Sequence, residues 1–167
     1  RERHGIEARV VGADLADPEA PRAIFDELSQ SDVDVDFLVN NAGYGVPDNF
    51  ADTTWQQQGD FIQVLVTAVV ELSHLFLPGM IRRGWGRIVN VSSVAGLMPG
   101  AAGHTLYGGA KAFLIKMTEA LSHETVGTGV QVSALCPGFT ITEFHDVTGT
   151  RELVNQLPKR LWLTAED

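Results

Sequence analysis

The sequence predicts an α/β fold with a doubly wound parallel sheet, which we expect to be truncated at both ends. Short, continuous apolar stretches alternate with helical stretches of ten or more residues, the pattern of right-handed βαβ units. Polar and glycine-rich segments follow the predicted strands directly. Because ligands bind at the carboxyl ends of the strands in such sheets, we expect one domain, residues 1–167, with one site at that edge.

The composition fits a domain with a sizeable core. The chain has 167 residues, of which 44% are apolar and 20% charged. Its formal net charge of −9 disfavours nucleic acid and anionic membranes as partners. Cys136 is the only cysteine, so an internal disulfide is excluded and a reducing compartment is favoured. We therefore expect a cytoplasmic protein, with Cys136 as a small buried residue.

The first third of the chain predicts a strand, a helix and a second strand. Glu7–Gly12 is the first apolar stretch. Asp17 followed by Pro18 is a helix start signal, and the helix should run to about Ser29. Asp36–Asn40 predicts a short buried strand. Continuous apolar strands of this kind are typical of a sheet that is covered on both faces.

A long helix is predicted from Thr53 or Thr54 to about Arg82. It is apolar on nearly all sides, so one face should pack on the sheet and another on a partner subunit. The stretch Phe61–Ile81 raises the question of a membrane span. Polar residues at helical spacing and Pro78 argue against a span, so we expect no membrane partner.

The second half of the chain continues the alternation. Arg87–Val91 and Val130–Leu135 predict two further buried strands, with a helix from Thr105 to about Val126 between them. A loop is predicted for Phe139–Thr150 and a short helix for Glu152–Gln156.

A proton-transfer group is predicted around Tyr107. Ser92 and Ser93 follow a strand directly, and Lys111 lies four residues after Tyr107. Four residues rise about 6 Å along a helix, so Tyr107 and Lys111 share one face. A nearby ammonium favours the phenolate, so Lys111 should lower the Tyr107 pKa from its ordinary value of about 10. A surface helix pair without a chemical role is the alternative.

Five motifs, taken together and in order, resemble those of the short-chain dehydrogenase/reductase family over essentially the whole chain. They are Asp14, the NNAG sequence of Asn40–Gly43, the pair Ser92-Ser93, the YxxxK spacing of Tyr107 and Lys111, and Pro137-Gly138 with Thr142 beyond. A lone YxxxK is a weak signal, whereas all five in order are specific. The resemblance implies a Rossmann-like domain of an NAD(P)-dependent oxidoreductase that interconverts a carbonyl and an alcohol.

The resemblance also implies roles for single residues. Tyr107 would be the general acid in reduction and the general base in oxidation. Lys111 would tune Tyr107 and bind the nicotinamide ribose, while Ser93 would hold the oxygen of a small carbonyl or alcohol substrate. The long helix and the Tyr107 helix resemble those that pack between subunits, which implies a homodimer or homotetramer.

The same resemblance implies a set of residues that bind NAD or NADP. They are Asp14 and Leu15 at the adenine, Asn41, Ala42 and Gly43 along the cofactor, Tyr107 and Lys111 at the ribose, and Pro137, Gly138, Thr140 and Thr142 at the carboxamide. Small residues let the backbone approach a ligand closely. Asn40 is expected to tie strands together instead. The alternatives are a polar loop at Asp14, a plain turn at Asn40–Gly43 and a helix-to-loop connection at Pro137–Thr142.

Two departures from the family pattern bear on activity. Leu65 stands where the family commonly places an Asn, so the usual relay of Asn and water behind Lys111 is missing, which can lower the rate by about 10²-fold or more. The glycine-rich turn and the first two strands of the family are also missing. We therefore expect either more chain at both ends, or a Glu7–Gly12 strand that is misplaced, mobile or completed by another molecule. In neither case should this strand pair with Phe37–Asn40. A weak or inactive relative that serves as a binding or oligomerisation module is the alternative function.

Other features have plainer interpretations. Gly108 and Gly109 lie inside a predicted helix, where a close approach of the cofactor or of a partner helix, or a frayed first turn, would explain them. His104, three residues before Tyr107, either reaches the site or is a loop histidine. His145 and Asp146 lie in the expected substrate lid and show no metal-ligand spacing, so no metal is expected. Three aromatic residues either line an apolar substrate pocket or only pack, and these are Phe139, Phe144 and Trp162.

Overall fold

The fold is a three-stranded parallel sheet with a layer of helices. The computed structural model describes residues 5–46, 48–103, 105–144, 158 and 162–164. Its helices and strands are α1 (Ala20–Gln30), β1 (Phe37–Asn40), α2 (Trp55–Ile62), α3 (Ala68–Arg83), β2 (Gly86–Val91), α4 (Tyr107–Glu124), β3 (Val130–Leu135), β4 (Phe139–Thr140) and β5 (Trp162–Leu163). The predicted boundaries of the central strands and helices are confirmed to within about two residues.

The sheet has the order β1-β2-β3, and all its pairs are parallel. Asn40 pairs with Asn90, and Val91 pairs with Leu135, so the three strands end at one edge. The segments that the sequence singled out follow these strand ends. The register therefore gathers them along one side of the molecule.

The main core lies between the sheet and the helices. Ile88 and Val132 of the sheet pack against Leu72, Phe76 and Met80 of α3, and α1 and α4 add further apolar side chains. Full burial of such a side chain stabilises the fold by about 1.5–3 kcal/mol. This cluster thus holds all three helices to the same face of the sheet.

The opposite face of the sheet is exposed in the described part of the chain. Phe37, Val39 and Leu135 point to this face, with 56%, 50% and 54% of their surface exposed. The apolar strands predicted helices on both faces, and the described helices cover only one. The reason is that successive right-handed crossovers running in one direction across a sheet place their helices on the same side.

Residues Glu7–Gly12 form no strand in the structure, so that prediction is wrong. Val10 is 91% exposed, and the Arg9 guanidinium donates a hydrogen bond of 2.9 Å to Glu27 of α1. An apolar stretch becomes a strand only where a neighbour pairs with its backbone groups. The expectation that this stretch does not pair with β1 is confirmed.

Helix α1 begins at Ala20, three residues after the predicted cap. The Asp17 carboxylate accepts a hydrogen bond from the Glu19 N–H at 3.0 Å, and the Asp17 carbonyl accepts one from the Ala20 N–H at 3.1 Å. Asp17 therefore forms a turn before the helix. Pro21, rather than Pro18, lies in the first turn of the helix, where its missing N–H costs no hydrogen bond.

Helices α2 and α3 are joined without a break by a π-helical turn at Gln63–Thr67, which the sequence did not predict. A capping box begins α2, because Thr54 and Gln57 bond each other's backbone N–H groups. The combined helix, Trp55–Arg83, is long and apolar enough to cross a membrane. Length and composition are weak evidence for a span, since the core helix of a globular domain has the same properties.

A chain of buried polar side chains links the helices through the sheet. Asn40 Nδ2 donates to Asn90 Oδ1 at 2.8 Å and to Ser73 Oγ of α3 at 3.2 Å. Asn90 Nδ2 donates to Thr118 Oγ1 of α4 at 2.9 Å. The expectation that Asn40 ties strands together is confirmed. These contacts fix the strand ends relative to both helices.

We expect the substitution Asn90→Ala to destabilise the fold markedly. It leaves Asn40 and Thr118 buried without this partner, at about 1–3 kcal/mol for each unsatisfied group. Urea unfolding measures the loss of free energy. Asn49→Ala is the matched control, because Asn49 is exposed and its change should stay within about 0.5 kcal/mol. Equal effects of the two substitutions would contradict the role of the buried chain.

The predicted loop after β3 contains the short strand β4, which pairs in parallel with β5. Phe139 of β4 and Trp162 of β5 pack with ring centroids 5.8 Å apart. His104, His145, Asp146 and the predicted helix Glu152–Gln156 lie outside the described residues.

Candidate functional site

Ser92 and Ser93 have different roles at the end of β2. Ser92 is buried, and its hydroxyl donates to the Lys111 carbonyl of α4 at 2.7 Å. Ser93 begins a 3-10 turn at Val94–Gly96 and accepts a hydrogen bond from the Ala95 N–H at 3.2 Å. Ser93 is also hydrogen-bonded to the side chain of Tyr107. The structure thus brings the predicted hydroxyl and phenol together.

Lys111 lies beside Tyr107 on α4, as the spacing predicts. Its Nζ is 5.7 Å from the centroid of the Tyr107 ring. The side chain is buried, with 6% of its surface exposed, and Nζ donates to the Val91 carbonyl at 2.7 Å. An ammonium has three N–H donors, so the bond to Val91 leaves donors for further acceptors.

The 3-10 turn approaches α4 so closely that it requires glycine. A Cβ on Gly96 would lie 2.7 Å from the carbonyl carbon of Lys111 and 2.8 Å from the Ala112 nitrogen. A Cβ on Gly108 would lie 3.3 Å from the Ala95 carbonyl oxygen. A Cβ on Gly109 would meet no described atom of another segment within 4 Å. Gly108 therefore has a close neighbour in the 3-10 turn of this chain, while the approach of a cofactor or partner helix stays a prediction. Gly108 and Gly109 both lie in the first turn of α4, and this turn is helical rather than frayed.

The direction of the Tyr107 pKa differs from the sequence-based expectation. Burial of the phenol raises the pKa of Tyr107, and the hydrogen bond with Ser93 lowers it by less. The prediction that Lys111 lowers the pKa of Tyr107 is therefore wrong, because the net change of this pKa is upward. Burial disfavours the charged phenolate and likewise disfavours the charged ammonium, and it lowers the pKa of Lys111 to about 8. The pair thus favours a protonated phenol, which is the form of a general acid.

Burial of Lys111 predicts a pH dependence of stability. Between pH 8 and about 10 the unfolded chain binds more protons at this side chain than the folded one, so stability should rise with pH through this window. The measurement is the free energy of unfolding in urea at several pH values, for the unsubstituted chain and for Lys111→Met. The contribution of Lys111 is the difference between the two values at each pH. A difference that stays constant from pH 7 to about 10 would contradict the lowered pKa of Lys111.

The segment predicted at the adenine and the segment predicted to face the cofactor lie together at the open edge of β1. Leu15 lines a cavity of about 180 Å³ together with Asn41 and Ala42. Asp14 is exposed, and its Oδ1 accepts a hydrogen bond from the Ala16 N–H at 3.0 Å, as in a polar loop. Gly43 lies against Leu65, since a Cβ there would be 3.5 Å from Leu65 Cγ. The structure therefore places these residues next to one another along the β1 edge of the sheet.

The segment after β3 is held close to Ser93. The Val94 N–H donates to the Pro137 carbonyl at 3.0 Å, and Thr140 Oγ1 donates to the Gly138 carbonyl at 3.4 Å. Thr142 accepts a hydrogen bond from the Phe144 N–H at 3.3 Å. The Phe144 ring lies 6.3 Å from that of Tyr107. The Pro137–Thr142 segment thus borders the same site.

Leu65 belongs to the π-helical turn and is fully buried. It packs in a cluster with Phe61 and Ala110, and Tyr107 lies against this cluster. The side chain of Leu65 offers no hydrogen bond to Lys111. The π turn itself is the kind of helix distortion that often occurs at functional sites.

A polar cavity beside Tyr107 was missed by the sequence analysis. It has a volume of about 10 Å³, and Asp48, Gln58 and Thr105 are among the residues that line it with Tyr107. Gln58 is 5% exposed. In the sequence Gln58 is the last of three consecutive glutamines, Gln56–Gln58, in the first turns of the helix, and no signal distinguishes the buried one from its neighbours.

The comparisons with known proteins agree with this parallel-sheet fold. A profile of the family described as short chain dehydrogenase matches residues 1–152. The chain is 42% identical over 105 residues to the ketoacyl reductase HetN of Nostoc sp., covering 63% of this chain and 36% of that protein. It is 36% identical over 156 residues to nodulation protein G of Azospirillum brasilense, covering 93% of this chain and 62% of that protein.

A solved structure extends the similarity to the fold. The short-chain dehydrogenase from Sphingobium yanoikuyae in complex with NADPH matches with a TM-score of 0.86 and 31% identity, over 97% of this chain and 62% of that one. The chain belongs to the short-chain dehydrogenase family. It spans less than two thirds of the length of these three proteins.

Proposed function

We propose that this chain carries the proton-transfer half of an NAD(P)-dependent oxidoreductase that interconverts a carbonyl and an alcohol. The observation that carries the proposal is the hydrogen-bonded pair of Ser93 and Tyr107 with the buried Lys111 ammonium beside it. The family membership and the NADPH complex of the Sphingobium relative support a nicotinamide dinucleotide as the cofactor.

The residues present fit the two ends of such a dinucleotide. Lys111 keeps N–H donors after its bond to the Val91 carbonyl, and these suit ribose hydroxyls. Asp14 keeps one carboxylate oxygen after its bond to Ala16, and this oxygen suits an adenine amino group. Asn41, Ala42 and Gly43 are exposed beside them with small side chains and accessible backbone. A hydride donor or acceptor is the chemistry that the bound cofactor supplies.

The side chains of this site would handle the substrate oxygen and its proton. Ser93 donates a hydrogen bond to the oxygen and orients it toward Tyr107. The raised pKa of Tyr107 keeps the phenol protonated at neutral pH, so that it protonates the oxygen in reduction. Lys111 stabilises the phenolate that this step leaves behind. Phe144, packed near the Tyr107 ring, would keep water away from the reacting atoms.

Cofactor binding separates this function from its rival, an inactive binding module. We expect the purified protein, in its full natural length, to bind NAD(H) or NADP(H) in isothermal calorimetry. Turnover of a panel of carbonyl substrates should then follow by loss of nicotinamide absorbance. Absence of binding to either cofactor would overturn the oxidoreductase and favour the module, which the missing relay at Leu65 otherwise supports.

We also propose that the protein is a homodimer or homotetramer. Exposed apolar side chains on α3 and α4 support this, among them Val70, Ile81 and Phe113, which are 37%, 40% and 45% exposed. Light scattering should give at least twice the mass of one chain, and Phe113→Glu should shift it toward the monomer. A monomer for the unsubstituted protein would contradict the proposal.

A further inference from the structure

Two chain segments border the hydrogen-bonded pair of Ser93 and Tyr107. One consists of the 3-10 turn that Ser93 begins and the residues that follow it. The other follows β3, and its Phe144 ring lies 6.3 Å from the Tyr107 ring. The Val94 N–H donates to the Pro137 carbonyl at 3.0 Å, and this bond joins the two segments. A substrate whose oxygen is held by Ser93 and Tyr107 would therefore extend along these segments.

Leu97 and Met98 follow the 3-10 turn directly, beside the first turns of α4. Gly96 is the last residue of the turn, and a Cβ on it would lie 2.7 Å from the Lys111 carbonyl carbon. The Leu97 N–H continues the turn by donating to the Val94 carbonyl at 2.9 Å. These contacts fix the backbone of Leu97 relative to the helix that carries the proton-transfer group.

Both segments present apolar side chains to solvent. Leu97 and Met98 are 68% and 64% exposed, and Ile141 of the second segment is 54% exposed. The Ile141 N–H donates to the Leu163 carbonyl at 2.9 Å, so its backbone is held in place. Covering such side chains with another apolar group is favourable in proportion to the area removed from water. The two segments thus offer apolar contact area near the proton-transfer group.

The charge of the two segments indicates what kind of group would cover them. Residues 92–103 have no charged side chain, and residues 136–144 have one, the exposed Glu143. Lys111 is buried, and its Nζ is bonded to the Val91 carbonyl. Proteins hold phosphate and carboxylate groups chiefly with Arg and Lys side chains. Segments that are apolar and lack cations therefore fit an uncharged, apolar part of a substrate.

We propose that the substrate of this site is an uncharged carbonyl compound, or the corresponding alcohol, with an aliphatic chain or ring next to the reacting carbon. This inference rests on the proposed function and names its substrate class. The oxygen of the substrate lies at Ser93 and Tyr107, and its aliphatic part covers the apolar side chains of the two segments. These side chains are Leu97, Met98, Ile141 and Phe144.

A series of straight-chain methyl ketones of increasing length tests the substrate class in the full-length protein. The reaction is followed by loss of nicotinamide absorbance. We expect kcat/KM to rise about two- to fourfold with each added methylene, because each one covers more of the apolar side chains. A keto acid of the same length as the best ketone, and the acetoacetyl thioester of coenzyme A, should each react at least about 10-fold less efficiently, because their charged groups find no cation in these segments.

The double variant Leu97→Ser, Met98→Ser should flatten the rise of kcat/KM with chain length. Both side chains are exposed, so their replacement leaves the core intact. Val126→Ser is the matched control, since Val126 is 76% exposed but follows the far end of α4. The 18 residues of this helix place it about 27 Å from the first turn, so the control should keep the full rise.

Three results would overturn the substrate class. They are an equal kcat/KM for ketones of all lengths, a higher kcat/KM for the keto acid or the thioester, and the same rise with chain length in the double variant as in Val126→Ser. Absence of turnover with every ketone, the keto acid and the thioester would instead overturn the proposed function, and the substrate class with it.

Discussion

Replacing Tyr107 by Phe should lower kcat by about 10²–10⁴-fold, the range for loss of a general acid. The ring keeps its place, because it packs against the cluster of Phe61 and Ala110 and lies 6.3 Å from Phe144. Only the hydroxyl that bonds to Ser93 is removed. The affinity for the nicotinamide cofactor should therefore stay nearly unchanged. Stopped-flow turnover and calorimetric binding measure the two quantities separately.

Tyr44→Phe is the matched control, since Tyr44 and Tyr107 are the two tyrosines of the chain. Tyr44 packs edge-on against Phe61, with ring centroids 5.6 Å apart, so both substitutions remove a hydroxyl from the same apolar cluster. Equal losses of turnover in the two variants would show that the cluster is being disturbed. Retention of full activity by Tyr107→Phe would remove Tyr107 from the chemistry.

The second large effect is expected at Gly96, which touches no reacting group. The methyl group of Gly96→Ala would meet the backbone of Lys111 and Ala112 at 2.7–2.8 Å, and backbone cannot move aside as a flexible side chain can. The 3-10 turn must then shift away from α4, carrying Ser93 away from Tyr107. Overpacking of this kind costs about 1–3 kcal/mol. A displacement near 1 Å at the site can cost about 10²-fold in rate.

Gly100→Ala, four residues further along the same loop, is the control. No atom within 4 Å would face its methyl group, and Gly100 does not have a positive φ. Thermal unfolding and turnover of both variants should show a loss for Gly96→Ala alone. A stable and active Gly96→Ala protein would contradict the close approach of the turn to α4.

Much of the fold could be predicted from the sequence because its signals are local. Apolar stretches of strand length located β1, β2 and β3, and glycines ended the helices between them, as Gly84 does after α3 in the left-handed conformation. The spacing of Tyr107 and Lys111 placed both on one face of α4, as observed. Each of these inferences depends on residues close together in the chain.

Other predictions were wrong because they depended on distant neighbours. Glu7–Gly12 has the apolar pattern of a strand, yet no described strand pairs with it. The far face of the sheet is apolar and exposed, because every described crossover returns on the same side. Pairing and covering of a strand are decided by which elements lie beside it.

The candidate site also combines features that the sequence determines with features that only the tertiary structure determines. By itself the sequence determined which groups are available: the hydroxyl of Ser93, the phenol of Tyr107, the ammonium of Lys111 and the absence of an amide at Leu65. The tertiary structure alone decided their state. Burial is set by side chains from several elements, and it raises the pKa of Tyr107 against the expected direction. Packing of α2 against the first turn of α4 likewise created the polar cavity of Gln58, because a cavity exists only where separate segments meet.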